Sequence, residues 1–304
     1  LENDKGKSKM RSLIVGMGIG QLYKKVLTEL GNEVITVDND ISKCADLPSI
    51  ESAILAHAPF DTVHICTPNF THFEMAMKLA RHAKIIFIEK PGVATSLNWA
   101  TLVSTFPGTR FMMVKNNMWR DNIEEMRSHV ERARTVKIKW INKNRIPGPG
   151  TWFTTKRLAF GGVSRDLMPH LLSLYIALNN HWKTSQMTGQ EARQLHTLDK
   201  IEDTEYGVVK RDGTYDVDDL CKIKYMKNGR VWKMEANWAD GKADDRAVEF
   251  EMDDGSIVRF ELGLCPEEAY KNMINECIQK VSDNEFWLDQ AQKDLYIHER
   301  IEQF

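Results

Sequence analysis

The chain has 304 residues, 41 basic against 43 acidic, a formal net charge of −2 and a hydrophobic content of 42%. That length suits two domains with cores of ordinary size, and the balanced charge excludes a general electrostatic attraction to nucleic acid or anionic lipid. No apolar run approaches the ~20 residues of a membrane-spanning helix, and five scattered cysteines without a C-x-x-C pair fit reduced thiols in a cytoplasmic protein better than a disulfide frame or a metal site.

Residues 1–10 are charged and lack an apolar h-region, so they read as a mobile tail and not as a signal peptide. Ser12 to Val15 reads as a strand, followed by Gly16-Met17-Gly18-Ile19-Gly20 and a helix over about Leu22 to Leu30. Glycines between a strand and a helix allow a tight turn and let a pyrophosphate approach the helix N-terminus. Gln21 stands where the third fingerprint glycine or alanine is usual. Glu33 to Val37 is a second strand, and Asp38 ends it 22 residues after Gly16, the place from which a carboxylate accepts ribose hydroxyls and repels a 2′-phosphate. Asn39 follows with no adjacent arginine, so NAD is favoured over NADP. Between Asp38 and Phe60 the segment is short and contains Pro48, which predicts a trimmed crossover.

Thr62 to Cys66 reads as a strand ending in Thr67-Pro68-Asn69, and Phe73 to Arg81 as a helix. Thr67 or Asn69 lines the cofactor on one reading; on the other, Asn69 or Thr71 caps the next helix. Ile85 to Ile88 is a buried strand, and Glu89-Lys90-Pro91 puts a cation at its carboxyl end, where open α/β sheets bind ligands. Parallel βαβ units follow from this alternation, and the first domain is placed at residues 1–117.

From about Asn117 the pattern changes. Period-two runs at 136–141, 220–226, 230–238, 247–252 and 257–262 are joined by turns at Lys227-Asn228-Gly229 and Asp253-Asp254-Gly255, which predicts a large, mainly antiparallel sheet. Helices over about 166–178, 266–281 and 290–301 are expected to cover one face of it, in an α+β domain at 118–304. Within it Gly161-Gly162 leads to Asp166 and His170, four residues apart on one face at a helix start, where Pro169 is tolerated.

These motifs together resemble the Gfo/Idh/MocA oxidoreductase family, in the glycine loop, Cys66-Thr67-Pro68-Asn69 with His72, Glu89-Lys90-Pro91, and Gly161-Gly162 with Asp166 and His170. Arg145-Ile146-Pro147 and Trp152-Phe153-Thr154 look like members acting on sugars. The resemblance implies a Rossmann domain followed by an α+β domain with an open sheet, and an NAD(P)-dependent enzyme that interconverts a hydroxyl and a carbonyl on a sugar, cyclic polyol or sugar derivative. It implies that Lys90 stabilises the developing alkoxide, that His170 is the general base or acid, and that Asp166 positions substrate and catalytic groups. It implies cofactor contacts from Gly16, Gly18, Ile19, Gly20, Asp38, Thr67, Pro68, Asn69, His72, Glu89, Lys90 and Asn116. Substrate contacts are expected from Lys90, Trp152, Lys156, Asp166 and His170, although Lys156 and Arg157 also suit solvent. Homodimers or homotetramers through the open sheet are implied, with Trp232, Met234, Ala236 and Trp238 either supplying that surface or packing under the helices. Val163 and Ser173 depart from the family pattern. Competing readings are a non-catalytic NAD(H)-binding regulator, which has no need of Lys90, Asp166 and His170, and a reductase of an imine or linear tetrapyrrole.

Overall fold

The computed structural model describes residues 9–203, 206–239, 242–263 and 266–304. Two compact units divide the chain: the first runs to Val114 and takes in Tyr270–Leu295, and the second comprises Lys115–Ala269 with Tyr296–Phe304.

In the first unit the elements alternate: β1 (Arg11–Val15), α1 (Gly20–Glu29), β2 (Glu33–Val37), α2 (Ile50–His57), β3 (Phe60–Ile65), α3 (His72–Leu79), β4 (Ala83–Ile88), α4 (Ser96–Thr105) and β5 (Arg110–Met113). All four strand pairings are parallel, in the order β2-β1-β3-β4-β5. Leu13, Ile14, Val63, Ile65, Ile86 and Ile88 are fully buried, as strands covered on both faces require. The order reverses between β1 and β3, which makes the carboxyl ends of those strands the topological switch point. The trimmed crossover expected after Asp38 is instead a short helix, α2, because Ser49 follows Pro48 and its hydroxyl accepts the Ser52 N–H at 3.2 Å. The helix α4 was not foreseen; Thr95 caps it in the same way.

His64, one residue from the end of β3, is fully buried, stacked on Phe87 at 4.8 Å, and burial lowers its pKa to about 3. The unfolded chain binds a proton near pH ~6.5 that the folded chain does not. Stability is therefore complete above that pH and is lost as pH falls from there towards 3, by about 1.4 kcal/mol per unit. Chemical denaturation at pH 7.5 and pH 5 should show His64→Leu losing about 2 kcal/mol less than the wild type over that interval; equal losses would reject the assignment.

The segment Tyr270–Leu295, read from the sequence as cover for the second sheet, groups with the first unit instead. The Cys277 sulfur lies 3.5 Å from that of Met112, an Asp294 oxygen accepts the Met113 N–H at 3.2 Å, and Tyr270 meets Tyr23 edge-on. A 3.6 period identifies an apolar helix face but not the sheet that receives it.

The second unit holds α5 (Ile123–Val130), β6 (Ala133–Ile141), α6 (Lys156–Ala159), α7 (Val163–Asp166), α8 (Met168–Leu178), β7 (Gln186–Arg193), β8 (Leu220–Lys227), β9 (Arg230–Asn237), β10 (Asp245–Met252) and β11 (Ile257–Glu261). The last helices of the chain are α9 (Glu267–Gln279) and α10 (Asn284–Ile301). The sheet runs β11-β10-β6-β9-β8-β7, antiparallel except between β6 and β9. Asn228, Gly229 and Gly255 take positive φ at the two turns read from the sequence. The edge strand β7 was missed, since its residues are half-buried or exposed and carry no apolar alternation.

Every residue of α8 except His170 is buried, and Tyr175 from this helix packs edge-on against Trp232 and stacks on Tyr225. Trp232, Met234, Ala236 and Trp238 are at most 1% exposed, so they pack in the core and supply no assembly surface. The opposite face is charged: Lys224, Lys233, Lys137, Glu249 and Arg259 stand in one cross-strand row. Lys139 pairs with Glu249 at 2.9 Å, and Arg259 with Asp245 at 2.7 Å. No helix among the described residues is long and apolar enough to cross a membrane, and no described cluster of His, Cys, Asp and Glu could hold a metal.

Candidate functional site

In the first unit the chain leaves β1 at Gly16 with φ +93°, and a Cβ there would sit 2.8 Å from the Cys66 carbonyl carbon and oxygen. Only glycine lets the ends of β1 and β3 lie that close. Gly20 opens α1 against Ile14, where a Cβ would meet the Ile14 Cγ2 at 2.9 Å, whereas nothing lies within 4 Å of a Cβ at Gly18. Ile19 is 45% exposed, no side chain caps α1, and its first turn carries no acidic residue. This is an uncapped, positively polarised helix start with open space beside its glycine, which fits a dinucleotide pyrophosphate. Asp38 accepts the Met17 N–H at 2.7 Å and the Asp40 N–H at 2.9 Å, so its carboxylate is fixed against the glycine loop.

At the end of β3, Thr67 and Thr71 share a hydroxyl hydrogen bond of 2.6 Å, and Thr71 donates to the Pro68 carbonyl. Thr71 stands before α3 without a side-chain cap, and Asn69 is 9% exposed. His72 is fully buried behind this loop. Its Nδ1 lies 2.6 Å from the Gly92 carbonyl and its Nε2 2.7 Å from the Thr67 carbonyl, so one ring ties the loop after β3 to the loop after β4. Burial lowers its pKa, the two carbonyls oppose that, and the Lys90 charge adds to the lowering.

Glu89 is 8% exposed and accepts the Tyr23 hydroxyl at 2.6 Å and the Lys90 N–H at 3.1 Å. Burial, then the Glu89 charge, pushes the Tyr23 phenol well above its usual range, so the proton stays on tyrosine. Glu89 to Gly92 close a turn through the Gly92 N–H and the Glu89 carbonyl at 2.9 Å, with a cis bond between Lys90 and Pro91. Lys90 is half-buried at this strand end. His72 and Glu89, both expected as cofactor contacts, thus hold the two loops that present Thr67, Asn69 and Lys90.

In the second unit, Gly161 and Gly162 lead into α7. The helix predicted from Asp166 is interrupted at Leu167, and Pro169 falls in the first turn of α8. Asp166 therefore ends one helix and His170 sits in the first turn of the next. An Asp166 oxygen accepts the Trp238 indole N–H at 2.9 Å, and the His170 ring stacks on Trp140 at 5.6 Å with a tilt of 22°. Asp218 anchors the glycine pair: its carboxylate accepts from the Gly162 N–H at 2.9 Å and the Ser164 N–H at 2.7 Å, and its carbonyl from the Val163 N–H at 2.8 Å.

Asn116 and Asn117 open a 3₁₀ turn (Asn116–Trp119) and are fully buried. The Asn116 side-chain oxygen and nitrogen have no hydrogen-bond partner among the described residues, leaving an amide able to donate and accept towards a ligand or water. Asn117 Nδ2 lies 3.0 Å from His170 Nδ1, and Asn117 Oδ1 accepts from Arg120 Nε at 2.7 Å. Trp152 is half-buried beside Phe153. Lys156 is exposed and its ammonium donates to the Phe304 carbonyl at 3.2 Å, while Arg157 is exposed. Sequence reasoning missed Asn117, Arg120, Trp140, Asp218 and Trp238. The doubled Asn116-Asn117 at the end of a buried run was the one local signal among them.

Residues 10–110 match the family described as oxidoreductase family, NAD-binding Rossmann fold. A protein of Amycolatopsis mediterranei (strain S699), named as a candidate UDP-kanosamine synthase oxidoreductase subunit, is 24% identical over 271 residues, 79% of this chain and 71% of its own. Among solved structures, GenD2 from gentamicin A biosynthesis in complex with NAD superposes with a TM-score of 0.75 at 17% identity, over 99% of this chain and 95% of that one. Levoglucosan dehydrogenase in complex with NADH and levoglucosan gives 0.71 at 14% identity, over 97% of each chain. At these identities the solved structures establish a shared fold.

Proposed function

We propose that this chain, whose residues 10–110 match the oxidoreductase family with an NAD-binding Rossmann fold, is a Gfo/Idh/MocA oxidoreductase that interconverts a hydroxyl and a carbonyl on a sugar, cyclic polyol or sugar derivative. The observation that carries this reading is the support built around Asp166 and His170: an indole N–H fixes the carboxylate and a buried amide fixes the imidazole. A protein that only sensed NAD(H) would not need a carboxylate and an imidazole held in this way. The names of the sugar-acting relatives support the substrate class.

Gly16, Gly18, Ile19 and Gly20 are the proposed pyrophosphate cradle, Asp38 the ribose contact, and Thr67, Pro68 and Asn69 the wall beside them. Asn116 offers its open amide to the nicotinamide end or to a water. Bound NAD supplies a hydride acceptor, and NADH a hydride donor. Lys90 holds positive charge at the reacting oxygen as it gains anionic character. Asp166 orients the substrate, and His170 bonds the reacting hydroxyl or carbonyl. Trp152 is the proposed apolar wall of the substrate-binding unit. Assembly as a homodimer or homotetramer through the open sheet would use its charged face.

Incubating the protein with NAD and a panel of sugars and polyols, and following NADH absorbance, tests this reading; NAD that binds but is reduced by no member contradicts it. For the cofactor, titration should show NAD binding at least about tenfold tighter than NADP, because Asp38 repels a 2′-phosphate, and Asp38→Ser should narrow that gap. Equal affinities in the wild type would remove the role given to Asp38.

A further inference from the structure

We infer that Tyr23 is a positioning residue for Lys90: its hydroxyl, acting through the Glu89 carboxylate, ties helix α1 to the turn that carries the lysine. The inference rests on the catalytic reading of Lys90 and adds to it a residue from another element.

Tyr23 lies in the first turn of α1, the helix that Gly20 opens and whose start is the proposed pyrophosphate cradle. Its ring is 1% exposed and reaches across β3, 5.1 Å from His64 and edge-on to Tyr270 at 5.5 Å. Close packing on these neighbours fixes the direction in which the hydroxyl points. That hydroxyl meets Glu89 Oε1 at 2.6 Å, and Glu89 Oε2 accepts the Lys90 N–H at 3.1 Å. One carboxylate thus receives a side-chain donor from the helix after β1 and the main-chain donor of the lysine itself.

Glu89 is 8% exposed, and a carboxylate so far from water depends on the donors that reach it. Burial and then the Glu89 charge keep the phenol protonated, so Tyr23 donates and Glu89 accepts. Without this donor the carboxylate must turn to another or take up a proton, and either change weakens its hold on the Lys90 amide. Lys90 follows Glu89 directly in the chain, so a tilt of the carboxylate reaches the backbone from which the ammonium projects. Misplacing a reacting group by about 1 Å can cost about 10²-fold in rate. Tyr23 therefore acts on the chemistry through Glu89, without touching the substrate.

Tyr23→Phe keeps the ring and removes the hydroxyl alone. The test uses the full chain with NAD and the member of the sugar and polyol panel that the wild type oxidises fastest. Turnover should fall about tenfold, while the NAD Kd from fluorescence titration changes by less than about threefold. The decisive comparison is with Lys90→Ala, where the same substitution should change kcat by less than about twofold, because the lysine it positions is gone. Equal losses in both backgrounds would make Tyr23 a purely structural residue and overturn the inference, as would wild-type kcat in Tyr23→Phe. Should Tyr23→Phe fail to fold, Glu89→Gln reads the same link from its other side by removing the charge that the hydroxyl serves. Its loss should also vanish beside Lys90→Ala, and a loss that persists there overturns the inference. A panel that yields no NADH, or wild-type turnover in Lys90→Ala, overturns instead the reading of Lys90 on which the link rests.

Discussion

Lys90→Ala should lower turnover by about 10²-fold or more while NAD binding changes by less than about tenfold. The expectation comes from where the lysine sits: strand β4, buried over its last four residues, ends one residue before Glu89, and the Glu89–Gly92 turn then presents Lys90 at the ligand-binding edge of a parallel sheet. The buried side chains of Glu89 and His72 brace that turn, so removing the ammonium leaves the loop in place. A cation opposite a developing alkoxide acts in the transition state more than in the ground state, which puts the loss in kcat and not in cofactor affinity. His170→Ala should lose turnover on a similar scale. Steady-state rates beside a tryptophan-fluorescence titration with NAD separate the two quantities. A Lys90→Ala enzyme with wild-type kcat would mean that the lysine is a solvated charge.

Gly162→Ala should unfold or strongly destabilise the second unit. The added Cβ would lie 1.8 Å from the Asp218 carbonyl oxygen and 2.8 Å from its carbon. That backbone cannot step aside cheaply, because Asp218 is held by the N–H groups of Gly162, Val163 and Ser164. A loss of about 3 kcal/mol or more follows, or a melting temperature lower by roughly 10 °C in a domain of this size. Gly18→Ala is the contrast: nothing lies within 4 Å of its Cβ, so its melting temperature should hold within about 2 °C while NAD affinity falls. A Gly162→Ala protein that melts with the wild type would show that the glycine loop and Asp218 are not locked together.

What was legible in the sequence was whatever depends on neighbours along the chain. Buried four-residue runs, Gly16 to Gly20, Asp38 at a strand end and the two hairpin turns all declared themselves, because backbone geometry at those points is set by the local residues. Destinations in space were not legible. The apolar stripe of Met273, Ile274 and Cys277 was visible, but its docking on Met112 of the first unit was not. Trp232 to Trp238 showed one face by period two, and only the packing of Tyr175 told which way that face points. The same limit applied to the chemistry. Asp166 and His170 stood out by spacing, whereas the groups that orient them (Trp238, Asn117 and, through it, Arg120) come from elsewhere in the chain. His72 and Glu89 were placed in cofactor-binding motifs by resemblance, yet their side chains face the protein.

Hydride transfer between a carbon-bound hydroxyl and NAD is the proposed chemistry of this chain. The most direct measurement is isotopic: a polyol or sugar that supports NADH formation is prepared with deuterium on the carbinol carbon, and the reduced cofactor is examined by mass and NMR. One deuterium is expected at C4 of the nicotinamide and a carbonyl in the product, both formed about 10²-fold more slowly in Lys90→Ala. NADH that carries no deuterium, with the label retained in the sugar, would contradict direct hydride transfer from the carbinol carbon.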